Sequence, residues 1–156
     1  MGKEATTSLS ARGSSPIILG WREWAALPAL GINRLKVKID TGARTSALFA
    51  RDIEAFERDG QHWVRFVVYP RQGTHRGAKT CEAPVLDIRN VRSSSGHVHK
   101  RAVIETEIVI GARRWLIEVT LAKRKHMKFR MLLGRQALAG HCLADSGGSY
   151  LQGKPA

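Results

Sequence analysis

The chain has 156 residues, with 26 Lys and Arg against 13 Asp and Glu, for a formal net charge of +13. About 150 residues per domain is the working prior, so this length suits one domain and excludes a pair of lobes each carrying half a catalytic centre. No stretch approaches the eighteen or so apolar residues of a membrane span, and residues 1–15 lack the apolar run of a signal peptide, so a cytoplasmic protein is expected, with a field that favours acidic partners.

Residues 1–15, rich in Ser, Thr and Gly, read as a disordered leader, and 16–156 as the folded domain. Ile17 to Trp21 forms a first strand, and Trp21 and Trp24 read as packing aromatics. Leu35, Val37 and Ile39 then alternate with Arg34, Lys36 and Lys38, so a half-buried strand runs into Asp40-Thr41-Gly42-Ala43. Gly42 lets the backbone bend sharply, and the Thr41 hydroxyl can bond beside the carboxylate. Thr45 to Ala50 continues extended, Asp52 to Arg58 reads as a short turn or helix, and Asp59-Gly60 marks a hairpin turn. His62 to Tyr69 is a strand with Val64, Phe66 and Val68 on one face. The basic, Gly-containing loop that follows makes 71–80 a candidate substrate cover, with a plain surface connection as the equal alternative. Cys81 to Val91 resumes a strand, and Arg101 to Ile110 with Trp115 to Leu121 form a hairpin around Gly111-Ala112. Phe129, Met131 and Leu133 make a strand pattern ending at Gly134, and Arg135 to Ala139 a short helix. Many short strands with little helical period imply an all-β, closed or sandwiched barrel.

An Asp-Thr-Gly at the end of a strand, answered late in the chain by two apolar residues and a glycine, points to aspartic peptidase chemistry. Asp40, Thr41 and Gly42 are the catalytic candidates, and Ala43, Leu132, Leu133 and Gly134 would support them. The dyad of such an enzyme needs two carboxylates about 3 Å apart sharing one proton. The chain holds one Asp-Thr-Gly, so a second copy must supply the partner across a two-fold axis. Arg44, Thr45, Ser46 and Arg135 flank the turn and are the substrate-binding candidates. Arg44 has an alternative role in an ion pair with Asp52 or Glu54 of the other chain.

Other chemistries find less support. There is no Gly-x-x-x-x-Gly-Lys-Ser/Thr loop for nucleotide phosphates and no His-Glu-x-x-His helix for zinc, so no cofactor and no metal site are expected. The pair His97 and His99, with Cys81 or His126, is a minor alternative. Cys81 and Cys142 lie outside any metal or redox spacing. Arg71, Arg76 and Lys79, and the run Lys123-Arg124-Lys125 with Lys128 and Arg130, read first as solvated faces and second as a nucleic-acid surface.

The chain resembles a bacterial retropepsin-like aspartic peptidase family long labelled an ATP-dependent zinc protease. The carriers are Gly20-Trp21-Arg22-Glu23-Trp24 with Leu27-Pro28, then Lys38-Ile39-Asp40-Thr41-Gly42-Ala43-Arg44-Thr45-Ser46-Ala47-Leu48. Trp63-Val64-Arg65-Phe66, Ser93-Ser94-Ser95-Gly96 and Met127 to Arg135 extend the likeness from about Ile17 to Gln152. It implies a retropepsin-like acid protease barrel with one short C-terminal helix, its active site completed by homodimerisation. Family members are associated with ATP-grasp ligases that add glutamates to proteins, so the resemblance also implies an acidic, glutamate-bearing substrate. The family's usual Leu-His-Ala is Leu48-Phe49-Ala50 here, which argues against an obligatory histidine at that place. A silent basic module binding an acidic protein or RNA, and a metal-dependent hydrolase, are the alternatives.

Overall fold

Which side of each strand turns inward follows from the alternation of apolar and polar residues. Along Ile32–Ile39 the residues Leu35, Val37 and Ile39 are buried while Arg34 and Lys38 are exposed, and along Arg113–Ala122 the inward set is Trp115, Ile117, Val119 and Leu121. The computed structural model describes residues 15–92, 95–123 and 128–155. Residues 1–14 of the leader, the resemblance carriers Ser93, Ser94 and Met127, the cations Arg124 and Lys125, and His126 therefore lie outside the described residues.

The strands in chain order are β1 (Ile17–Leu19), β2 (Arg22–Leu27), β3 (Ile32–Ile39), β4 (Ser46–Phe49), β5 (Arg51–Arg58), β6 (Gln61–Val68), β7 (Lys79–Pro84), β8 (Asp87–Arg92), β9 (Val98–Ile110), β10 (Arg113–Ala122), β11 (Met131–Leu133) and β12 (Cys142–Ala144), with one short helix, α1 (Arg135–Leu138), after β11. The order β10-β4-β11-β3-β2-β9 closes because β9 returns to β10, giving a six-stranded all-β barrel with β8 added outside on β9. Closure removes the unpaired edges an open sheet of this length would present. The long β9–β10 hairpin turns at Gly111, as the sequence indicates. A separate sheet of β5, β6 and β7 is inserted between β4 and β8.

Three elements differ from the sequence expectation. Residues Asp52 to Arg58 are a strand, not a turn or helix: β5 is exposed along most of its length, so no apolar period betrays it, and the ladder to β6 with Phe56 against Trp63 at 6.3 Å makes it. A bulge at Asp52, whose φ is 53°, shifts its register. Cys81 to Val91 is two strands in two sheets. Pro84, lacking an N–H, ends β7, and Val85 and Leu86 cross over, donating to the carbonyls of His62 and Val103. The first strand stops at Leu19; Gly20 then passes so close to the backbone of Gly148 that a Cβ has no room, and Trp21 N–H donates to the Gly148 carbonyl at 2.8 Å. Trp24 belongs to β2, a strand the sequence reading did not separate. The Asp59-Gly60 turn is as expected, both residues having positive φ.

One buried acid joins the segment around Gly20 to that around Leu151. Glu23 is 0% exposed, and its carboxylate accepts the N–H groups of Gly20 (2.6 Å), Leu151 (3.0 Å) and Gln152 (3.1 Å). It thereby fastens the residues after β12 to the bend between β1 and β2, beside the parallel β1–β12 pair. Glu23→Ala strands three amide donors, and each unsatisfied buried group costs roughly 1 to 3 kcal/mol. The variant is expected to lose about 3 kcal/mol or more in denaturant unfolding.

Both cysteines are buried and free. Burial pushes each thiol up to about 11, with Lys79 opposing at Cys81 and Arg113 opposing at Cys142. A raised folded value keeps the neutral thiol favoured, so its contribution is full below the ordinary thiol range and is lost as pH climbs to about 11. Unfolding free energy should fall over that alkaline window, and the fall should shrink in Cys81→Ala/Cys142→Ala.

Candidate active site

Asp40 sits where β3 leaves the barrel, and its placement is set by the strand beside it. β11 runs parallel to β3, with Leu133 opposite Ile39, and antiparallel to β4, with Met131 opposite Leu48. It lies between the strand that enters the Asp40 turn and the strand that leaves it. The Asp40 N–H donates to the Leu133 carbonyl at 2.8 Å. Within the turn, Ala43 N–H donates to the Asp40 carbonyl (3.1 Å), and Gly42 N–H to Asp40 Oδ1 (3.1 Å). The carboxylate is thus oriented by its own loop, half-buried, with Thr41 and Gly42 exposed beside it.

The far side of the turn is locked by the start of α1. Arg135 N–H donates to Ala43 O (2.8 Å) and Gln136 N–H to Arg44 O (3.1 Å). The Arg135 guanidinium reaches Thr41 O and Gly42 O, at 3.2 Å each, so the carbonyls of four consecutive residues are engaged. Gly134 is required by space: a Cβ there would lie 2.5 Å from Thr45 O and 3.0 Å from Ala43 O. Its N–H donates to Ser46 Oγ at 3.0 Å.

These contacts sort the expected site residues. Asp40, Thr41, Gly42, Ala43, Leu133 and Gly134 come together as one turn and its support. Leu133 is fully buried behind it, whereas Leu132 points the other way and packs on the outer cluster of Phe49 and Ala122. Ser46 is 2% exposed and its hydroxyl is committed to Gly134, so it braces the turn. Arg135 likewise holds the turn's backbone. Arg44 and Thr45 open onto a groove of about 960 Å³, shared with Arg89 and Arg92 of β8. Arg89 is paired to Asp87 (2.9 Å) and Glu118 (3.0 Å), while Arg92 donates to Gly96 O at 3.3 Å. At another part of the groove, His141 stacks on Trp115 at 5.1 Å, and burial, then the charge of Arg113, holds its pKa below the ordinary imidazole value.

The segment 71–80 does not line this groove; β8 does. Arg130 ties that loop down, donating to Arg71 O (3.4 Å) and Thr74 O (3.1 Å) with its guanidinium 5.3 Å from the Phe49 ring. Arg130 is therefore a packing residue. Among the described residues no three His, Cys, Asp or Glu side chains gather as a metal site. Cys81 Sγ donates to Leu30 O in a buried position, and His97 Nδ1 lies 3.1 Å from Ser95 Oγ. The Ser46 clamp and the contribution of β8 left no signal in the sequence, since each depends on a contact between distant segments.

Gly134→Ala forces Cβ into two carbonyls, and overpacking of this kind costs roughly 1 to 3 kcal/mol. Denaturant unfolding should show a loss in that range, larger than for Gly153→Ala, where a Cβ meets open space and only the positive φ opposes it.

The family profile described as retropepsin-like aspartic endopeptidase RimB matches residues 18–155. Proteins named "Probable alpha-L-glutamate ligase" are 42% identical over 137 residues in Shewanella halifaxensis and 44% identical over 137 residues in Parasynechococcus marenigrum; each match covers 88% of this chain. The chain spans only 30% and 29% of the length of those relatives. A solved Legionella pneumophila protein of unknown function, of the DUF785 group, has a TM-score of 0.75 at 29% identity, covering 88% of this chain and 99% of its own. No helix among the described residues is long and apolar enough to cross a membrane.

Proposed function

The chain belongs to the RimB-like family of retropepsin-like aspartic endopeptidases, and from that premise we propose that it is a homodimeric aspartic endopeptidase whose two Asp40 carboxylates share one proton and one water. The observation that carries the reading is the braced turn: a carboxylate oriented by Gly42 N–H, over a backbone held by Leu133, Gly134 and Arg135.

In the reaction, the ionised Asp40 takes a proton from the water as its oxygen bonds to the peptide carbonyl carbon, and the protonated Asp40 donates to the carbonyl oxygen. The tetrahedral carbon then releases the amine, which leaves with a proton returned by the dyad. No covalent enzyme intermediate forms. Arg135 contributes by fixing the Thr41 and Gly42 carbonyls, since sub-ångström placement of the reacting groups governs such rates.

The substrate in this reading is an acidic, glutamate-bearing peptide or protein. Two things support that choice. The groove beside the turn carries Arg44 and Arg92, and the matched relatives named as glutamate ligases contain a segment like this whole domain. A working partnership with an ATP-grasp glutamate ligase follows, in the cytoplasm, where two free buried thiols suit a reducing compartment.

The test is hydrolysis of glutamate-rich peptides by the full chain, with its mass by analytical ultracentrifugation. The expected result is cleavage by a two-chain particle, and in Asp40→Asn an intact dimer with kcat reduced by about a thousandfold or more. Undiminished activity in Asp40→Asn, or a protein that binds such peptides without cutting them, contradicts the proposal.

A further inference from the structure

The outer face of β2 and β3 carries a row of cations that the active-site turn and its groove do not use. Arg34, Lys36 and Lys38 project from one side of β3, away from the core. Across the ladder, Arg22 stands opposite Lys38 and Trp24 opposite Lys36. The one carboxylate in either strand, Glu23, is turned inward. None of the four cations has a carboxylate partner within 4.0 Å among the described residues, unlike Arg58, Arg65, Arg89 and Arg114 elsewhere on the surface.

Aromatic rings hold these like charges together. The Arg22 guanidinium lies 4.5 Å from the Trp21 ring centre and 4.8 Å from that of Tyr150, and it donates to Ser149 Oγ at 2.6 Å. Lys36 Nζ is 5.3 Å from the Trp24 ring and 5.9 Å from Tyr150, and Arg34 and Lys154 also face Trp24. Tyr150 adopts a φ of 53°, an uncommon conformation for a side-chain-bearing residue, in the position where its ring meets Trp24 and Arg22. The negative ring faces offset part of the repulsion between the cations but neutralise none of them.

We propose that this face is a docking stripe for an acidic peptide chain in extended conformation. Alternate residues on β3 are about 6.6 Å apart, the same spacing at which an extended partner presents side chains on one face, so successive carboxylates can meet Arg34, Lys36 and Lys38 in step. The rings are occupied by the protein's own cations, which leaves little bare surface for bases to stack on and favours carboxylates over single-stranded nucleic acid. The stripe leads to the catalytic turn: Lys38 is two residues from Asp40, and Trp21 O accepts the Ile39 N–H. This inference rests on the peptidase reading only for its purpose, as a surface that captures the acidic part of a substrate outside the cleavage groove.

The experiment measures binding of a fluorescent oligoglutamate to full-length Asp40→Asn protein, so cleavage plays no part in the readout. Exposed ion pairs are individually weak and act together, so Arg34→Gln/Lys36→Gln/Lys38→Gln is expected to weaken binding by about tenfold. A triple change of equal charge on elements outside the stripe, Arg51→Gln/Lys79→Gln/Lys123→Gln, is expected to change it little, and oligoglutamine should not bind. Arg34 and Lys38 are exposed, so Arg34→Gln/Lys38→Gln, expected to lose several-fold, serves if the triple variant unfolds. Equal weakening by the two triple variants would overturn the proposal, leaving only a net-charge effect. So would a single-stranded RNA of matched charge that binds more tightly than oligoglutamate and is lost in the stripe variant. Absence of hydrolysis by the unaltered protein would sink the peptidase reading while leaving this binding result standing.

Discussion

The pairing of β11 beneath the Asp40 turn is the contact on which the arrangement depends. A three-residue strand reaches both limbs of the turn: it is parallel to β3, antiparallel to β4, and accepts the Asp40 N–H at Leu133. Gly134 follows immediately, because only a residue without a side chain lets the chain pass so close to the carbonyls of Thr45 and Ala43. α1 then turns its first two amides onto the carbonyls of Ala43 and Arg44. A carboxylate on a free loop would sample many orientations; here four consecutive carbonyls of the loop are held by α1 and Arg135, and the Asp40 carboxylate accepts the Gly42 N–H. That is preorganisation obtained from backbone contacts more than from neighbouring charges.

Such a site is half of one. A barrel of this size presents one Asp-Thr-Gly, and the chemistry ascribed to it requires two acids that cannot both ionise at close range. The proposed dimer is therefore a requirement of the mechanism, and exposure of Thr41 and Gly42 at the lip of the turn leaves that surface open to a second copy. The strongly basic character fits the same account. Part of that charge lies in the groove, at Arg44 and Arg92, and part in the stripe on β2 and β3.

Much of this was legible before any coordinates, and the reason is local. β3 declares itself because one face is buried and the other carries Arg34, Lys36 and Lys38; the turn declares itself because Asp40-Thr41-Gly42 ends that strand in a bend, and Gly134 because the chain passes close there. The hairpin at Gly111 and the helix after Gly134 were equally readable. What escaped were elements defined by partners far away in the chain. β5 is mostly exposed on both faces and has no period to read. β7 and β8 look like one strand until Pro84 divides them between two sheets. Ser46 looks like a substrate-facing hydroxyl beside the motif, yet it is turned inward to Gly134. The residues of the stripe were visible as a charged face, but Tyr150, which joins Arg22 to Trp24, comes from the opposite end of the chain.

In the proposed enzyme two Asp40 side chains meet across a two-fold axis. The separation of those carboxylates in a structure of the assembled protein tests it most directly. The account predicts oxygens about 3 Å apart, close enough to share one proton. A stable assembly that leaves the two acids on opposite faces, or well beyond the reach of a single bridging water, would contradict it.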